Sequence, residues 1–253
     1  MTRKGRLFLV CGYVASGKTK TADLLAEVTG SNIIRTDDIR KELFPEELDY
    51  GQFDLNNTEE SAEKIDAWIR TRDPRNIDFQ QILNPLFAVR SQTYGEIINK
   101  YADKIKEQKE EVYSEAFRRL DKGLAEGKNM LFDATFSKRE MREKAYQTAI
   151  RNGVKKVYII QIVCDEEIIE DRLAKRRSGV QATTSNAKQL EVFRIVKKEF
   201  DESRIQNDNP SDLNIIRIVY NTGSQEVFQF GKADVVTEKI RKDAINVLSK
   251  KYK

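Results

Sequence analysis

The spacing of apolar positions changes along this chain in a way that separates strands from helices. Leu7-Phe8-Leu9-Val10-Cys11 is an unbroken apolar run, the pattern of a strand covered on both faces. From Lys18 to Val28 the apolar residues Ala22, Leu24, Leu25 and Val28 take helical spacing. Asn32–Arg35 reads as a short second strand leading into a helix that ends near Leu43, with Thr36 or Asp37 as its cap. Tyr94, Ile98, Tyr101, Ile105, Val112, Phe117, Leu120 and Leu124 predict one long helix over Ser91–Glu126, with Gly123 and Gly127 marking its end. Asn129–Asp133 is a short apolar strand ending in an acid. Ser137-Lys138-Arg139-Glu140 then has the form of a capping box opening a helix to about Arg151.

The most strand-like run is Lys156–Cys164. It is followed by a helix, capped by Asp165, whose end is crowded by Arg172, Lys175, Arg176 and Arg177. Ser178–Lys188 is small and polar, a further helix runs to about Glu199, and Leu213–Tyr220 gives a last strand before the turn Asn221–Ser224. Ala233–Leu248 has the spacing of an amphipathic closing helix. Strands alternating with helices predict an α/β protein with a mostly parallel five-stranded sheet sandwiched by helices. We expect a single domain over residues 1–253, an inserted, helical module at 45–90 and a lid at 172–188. The module is marked by three of the four prolines and the only tryptophan, Trp68, and Glu46–Asp66 holds eight carboxylates against Lys64 alone. That acidic run is read as solvated surface, and as a face that disfavours a polyanion.

The turn between the first strand and helix carries the sharpest motif. Gly12-Tyr13-Val14-Ala15-Ser16-Gly17-Lys18-Thr19 fits G-x-x-x-x-G-K-[ST], a loop whose backbone N–H groups cradle nucleotide phosphates. Strand, glycine loop and helix in that order aim the helix N-terminus at an anion. Lys18 suits the β- and γ-phosphates and Thr19 a magnesium ion, so ATP and Mg2+ are the expected ligands. Ligands of such sheets sit at the carboxyl ends of the strands, where Asp37, Asp133 and the turn after Tyr220 are also expected. Asp133 is placed to organise the metal. The residue after it is Ala134 rather than a glutamate that would orient water, and Asp37 is placed to take the proton of an acceptor hydroxyl. That pattern favours transfer to an alcohol over hydrolysis. Arg172 and Arg176, four apart on one helical face, are candidates to neutralise charge on the transferring group.

Composition trims the alternatives. The chain has no histidine, which excludes imidazole-based catalysis and imidazole zinc sites. Its two cysteines, Cys11 and Cys164, form no C-x-x-C pair and read as buried thiols in a reducing, cytoplasmic setting. No run approaches a membrane span. With 45 basic and 41 acidic residues the net charge is only +4, which does not favour nucleic acid as a partner.

Taken together, Gly12–Thr19, Thr36-Asp37-Asp38-Ile39-Arg40-Lys41-Glu42-Leu43 and Leu131-Phe132-Asp133-Ala134-Thr135-Phe136 resemble the P-loop kinases of the AAA-domain group, relatives of polynucleotide 5′-kinases, zeta toxins and chloramphenicol phosphotransferases. The resemblance covers about Arg6 to Gly223 apart from most of the insert. It implies that Asp37 is the general base, that Asp38, Arg40 and Thr135 face the acceptor, and that Arg172 and Arg176 are lid arginines. It also implies that Thr222-Gly223 passes around the adenine. The expected activity is therefore ATP- and magnesium-dependent phosphorylation of an unidentified hydroxyl compound. The alternatives are a nucleotide-dependent ATPase or interaction module, with a protein partner on the 45–90 insert, and a polynucleotide 5′-hydroxyl kinase.

Overall fold

The structure, a computed structural model, describes residues 4–49, 57–83, 86, 91–177, 190–230, 238 and 240. Its first unit is β1 (Leu7–Gly12), α1 (Lys18–Thr29), β2 (Asn32–Arg35) and α2 (Thr36–Leu43). There follow α3 (Thr58–Arg70), α4 (Phe79–Leu83), α5 (Gln92–Lys100) and α6 (Ala102–Ala125). The second half contains β3 (Met130–Asp133), α7 (Arg139–Arg151), β4 (Lys156–Val163), α8 (Glu166–Arg177), α9 (Leu190–Ser203), β5 (Asn214–Asn221) and β6 (Glu226–Phe230). The sheet has six strands in the order β2-β3-β1-β4-β5-β6, the first five parallel and β6 antiparallel to β5.

Side-chain alternation along β1 builds the two layers. Leu7, Leu9 and Cys11 pack with Phe132, Ile159 and the faces of α6 and α7, while Phe8 and Val10 pack with Leu131, Tyr158, Ile160 and α1 residues Ala22 and Leu25. Phe8 and Tyr158 stack at 4.8 Å across the β1–β4 pair. Complete burial of such side chains contributes roughly 1.5–3 kcal/mol each, which is why the apolar runs become central strands.

Four expectations need correction. The sheet has a sixth strand, because Val227, Phe228 and Phe230 return along β5 after the turn at Asn221. The expected long helix is broken at Tyr101, whose backbone leaves helical geometry; its hydroxyl donates to Asp66 and its ring packs on Phe79. Gly123 lies inside α6, facing Met130, and only Gly127 follows its end. Neither expected cap forms at α2 or α7: Arg35 and Lys138 hold the cap positions, and neither side chain bonds the first N–H groups of its helix.

The described part of the insert has a core of its own, in which Ile65, Ile69, Ile77, Phe79 and Ile82 are joined by Tyr94 and Ile97 of α5. That cluster therefore reaches past residue 90, and Gln108 of α6 ties it down by bonding both backbone groups of the Ile77–Phe79 turn. The 178–188 part of the expected lid and most of the closing helix at 233–248 lie outside the described residues. Among the described residues no helix is long and apolar enough to cross a membrane.

Candidate functional site

The parallel register brings three strand ends together. Val10 pairs with Asp133 and Asp133 with Arg35, so the loop after β1 and the turns after β2 and β3 leave the sheet side by side. The order β2-β3-β1 means that successive connections diverge beside β1, the crevice where such sheets bind ligands.

Gly12 and Gly17 are required by the loop's shape. Gly12 has φ +151°, and a Cβ there would lie 2.1 Å from the carbonyl oxygen of Ile162. Gly17 has φ +93° just before α1 begins at Lys18. Within the loop the Tyr13 carbonyl accepts from Ser16 Oγ and Lys18 Nζ, each at 2.8 Å. Val14, Ala15 and Ser16 are buried, so the loop presents backbone, and Thr19 stands exposed on the first turn of α1. The Tyr13 ring meets Phe193 and Phe200 of α9 edge-on at 5.5 and 5.3 Å, a clamp not foreseen from the loop motif.

Asp133 is buried at the end of β3, and burial pushes its carboxyl above the usual range against the opposing pull of Lys18 and Arg35. Arg35 is the residue the sequence reading missed. Its guanidinium bonds Asp133 at 3.0 Å, Asp23 at 2.6 Å and Asp38 at 3.3 Å, holding three carboxylates from three elements. Asp38, expected to face an acceptor, is therefore turned toward the strand ends. The only sequence signal for Arg35 was a cation at the end of a strand whose neighbour ends in an acid.

Asp37 lies on the first turn of α2, where it is not spent as a cap; its carboxylate accepts from Arg40 at 2.7 Å. Tyr113 of α6 faces it: burial, then the charge of Asp37, pushes the phenol up to about 12. Asp37 also acts on Asp133, so base candidate, strand-end acid and Lys18 share one electrostatic neighbourhood. Thr135 contributes its carbonyl, which accepts from the Gly12 N–H at 3.3 Å and ties the turn after Asp133 to the glycine loop.

That turn is held from below. Arg142, fully buried, donates to the carbonyls of Phe136 and Ser137 at 3.0 and 3.2 Å and forms an ion pair with Asp208, which also accepts from Tyr146 at 2.6 Å. Ser137 bonds Glu199 of α9 instead of capping α7. On the other flank Arg172 donates to the Ala15 carbonyl at 3.0 Å and to Thr222 Oγ1 at 3.1 Å. Thr222 in turn donates to the Ser16 carbonyl at 2.7 Å. Arg172 thus braces the loop rather than reaching over it. The side chain of Arg176 lies outside the described residues. A Cβ at Gly223 would lie 2.8 Å from Ile168 Cδ1 and 3.1 Å from Asp165 Oδ2, the tips of two side chains.

A cavity lined by Ile159, Gln161, Ile205 and Arg217 lies along β4 and β5, away from these strand ends, and offers no acid or nucleophile. The acids and the lysine described above gather instead around the glycine loop. Fold and loop together define a P-loop nucleotide-binding α/β protein. The AAA domain family model matches residues 7–199, and the chain belongs to that family of P-loop proteins. Among curated proteins none matches. Among solved structures, one from the PezAT chromosomal toxin–antitoxin system of Streptococcus pneumoniae is similar at 13% identity and TM-score 0.52, covering 98% of this chain and 86% of that one. The gluconokinase of Sinorhizobium meliloti aligns at 12% identity and TM-score 0.40, over 98% and 94% of the two chains. The APS kinase of Mycobacterium tuberculosis aligns at 12% identity and TM-score 0.41, over 98% and 99%.

Proposed function

We propose that this protein transfers the γ-phosphoryl group of ATP to a hydroxyl of a second substrate. The observation that carries the reading is Asp37, an uncapped carboxylate oriented by Arg40 and set in the same neighbourhood as Lys18 and Asp133. Ala134, buried directly after Asp133, leaves no side chain there to orient water. The loop backbone and Lys18 hold the β- and γ-phosphates, and the N-terminus of α1 faces the same anion. Asp37 accepts the proton of the acceptor hydroxyl as its oxygen bonds the γ-phosphorus, and ADP leaves with the bridging oxygen. Thr222-Gly223, next to the loop, is the proposed adenine edge.

The donor set fits magnesium. Thr19 supplies an exposed hydroxyl and Asp133 a carboxylate with one oxygen left after Arg35, both hard oxygen donors. Magnesium needs only one or two protein oxygens beside phosphate and water, so a larger carboxylate cage is not required. Bound there, the ion would offset charge on the phosphates.

Asp37→Asn should lower kcat by about 10²–10⁴ while leaving ATP affinity unchanged. Measurement is by γ-phosphate transfer over a panel of hydroxyl compounds and by calorimetric titration with ATP; full transfer in the variant would refute the assignment. A second reading, a nucleotide-dependent interaction module, is favoured by the separate apolar core of the insert. ATP turnover stimulated by a protein partner, without a phosphorylated product, would support it.

A further inference from the structure

Two buried aspartates, Asp208 and Asp133, are paired with arginines in different ways. Arg142 meets Asp208 side-on, Nε to Oδ2 at 2.5 Å and Nη2 to Oδ1 at 3.0 Å, so both carboxylate oxygens are engaged. Arg35 meets Asp133 through Nε alone, at 3.0 Å to Oδ2. No hydrogen bond reaches Oδ1 of Asp133 among the described residues. The Asp133 side chain is 5% exposed. An acceptor this deeply buried ordinarily has a partner, and an unmet one points to a ligand or ion.

The reason Arg35 stops at one oxygen is also visible. Nη2, the nitrogen that completes the side-on pair in Arg142, is taken in Arg35 by Asp23 of α1 at 2.6 Å. Nη1 is taken by Asp38 of α2 at 3.3 Å. A guanidinium is planar and its donors diverge in fixed directions, so three carboxylates on three sides set its plane. The two-bond arrangement is the stronger one for an arginine and a carboxylate. Arg35 can adopt it with Asp133 only by releasing Asp23. Asp133 itself sits where the donor loop begins: it pairs with Val10 in the sheet, and the Ala134 N–H donates to the Val10 carbonyl at 3.3 Å.

We infer that Arg35, with its Nη2 diverted by Asp23, is the positioning residue that presents Asp133 to magnesium with one oxygen free. The inference rests on the phosphotransferase reading for the assignment of Asp133 and Thr19 as the metal donors. Arg35 acts through Asp133, and Asp23 acts through Arg35. Partners that orient a ligating carboxylate matter to the metal almost as much as the ligand does, and their loss weakens metal binding about 10–100-fold.

The test reads binding rather than turnover. Calorimetric titration with ATP in magnesium and in EDTA gives two Kd values, and their ratio is the magnesium dependence. Arg35→Met should lower that ratio by about tenfold or more and leave the EDTA value unchanged. In an Asp133→Asn background the same substitution should have no further effect, because the two residues act as one unit. A merely structural role would instead weaken ATP binding in both buffers and add to Asp133→Asn. Asp23, half-exposed on α1, supplies variants that leave the buried pair intact. Asp23→Asn keeps an oxygen for Nη2 and should keep the wild-type ratio. Asp23→Ala frees Nη2 to close on Oδ1 and should lower it. Both remove the same charge, so equal ratios in the two overturn the inference. A wild-type ratio in Arg35→Met also overturns it, and continued transfer to a hydroxyl compound would then leave the phosphotransferase reading standing. An unchanged ratio in Asp133→Asn removes the metal assignment and the inference with it. A ratio lost in Arg35→Met, with no transfer to any acceptor by the wild-type protein, supports the inference and defeats the phosphotransferase reading.

Discussion

Replacing Asp208 with alanine should cost this protein more stability than any surface ion-pair change. Arg142 and Asp208 are essentially inaccessible to water, and the guanidinium meets the carboxylate through two bonds, Nε to Oδ2 and one terminal nitrogen to Oδ1. Without Asp208 the guanidinium, still bonded to the Phe136 and Ser137 carbonyls, loses its buried counter-charge, and Tyr146 loses this acceptor. Removing one partner of a buried pair costs about 3–5 kcal/mol, and the orphaned phenol moves the value toward the upper end. In a chain of this size about 4 kcal/mol corresponds to a fall in Tm of roughly 10–15 °C. Urea unfolding followed by far-ultraviolet circular dichroism measures the first, calorimetry the second. Asp73→Ala, which removes an exposed pair with Arg75, is the control and should not change either measurably. A loss below about 1 kcal/mol for Asp208→Ala would refute the premise that the pair is an uncompensated buried charge once broken.

Three further outcomes follow from the site. Asp133→Asn should lose less than about 1 kcal/mol at pH 7, because burial of the charge is a cost that asparagine removes, while magnesium-dependent ATP affinity falls. Because the folded carboxyl titrates above its unfolded value, wild type regains stability as pH falls through that raised value. The difference between the two proteins should therefore change in favour of wild type in acid, read from melts at pH 7.5 and 4.5. Gly12→Ala should abolish nucleotide binding and lower Tm, since its Cβ meets the backbone of Ile162 rather than a side chain that can move; near-normal ATP titration in that variant would contradict the geometry. Cys11, whose thiol burial pushes up to about 12, should resist iodoacetamide at pH 8 until the chain is unfolded.

What could be read from the sequence was local or periodic. The loop Gly12–Thr19 was legible because strand, turn and helix are contiguous, and β1 because its unbroken apolar run matches a strand buried on both faces. The break at Tyr101 was hidden, since α5 and α6 keep compatible apolar spacing while Asp66, 35 residues earlier, takes the tyrosine hydroxyl. Ser137 and Glu140 satisfied the local rule for a cap, yet Glu199 on a distant helix binds the serine. The three-way role of Arg35 depends on Asp133, 98 residues away, and on a strand pairing that no short window contains. β6 was passed over because Gln225, at φ +61°, bends the chain back within a polar turn that looked like the end of the sheet.

The grip of Phe193 and Phe200 on Tyr13 makes the donor loop a non-portable part. A loop transplanted from a relative with a small residue at this position would keep its phosphate-binding amides but surrender the anchor of α9, and with it the Glu199–Ser137 bond at the acceptor corner. The same linkage runs in the opposite direction: α9 becomes a place from which the first half of the chain can be loosened without touching it. Chimeras cut anywhere between the loop and α9 should therefore exchange both together or neither.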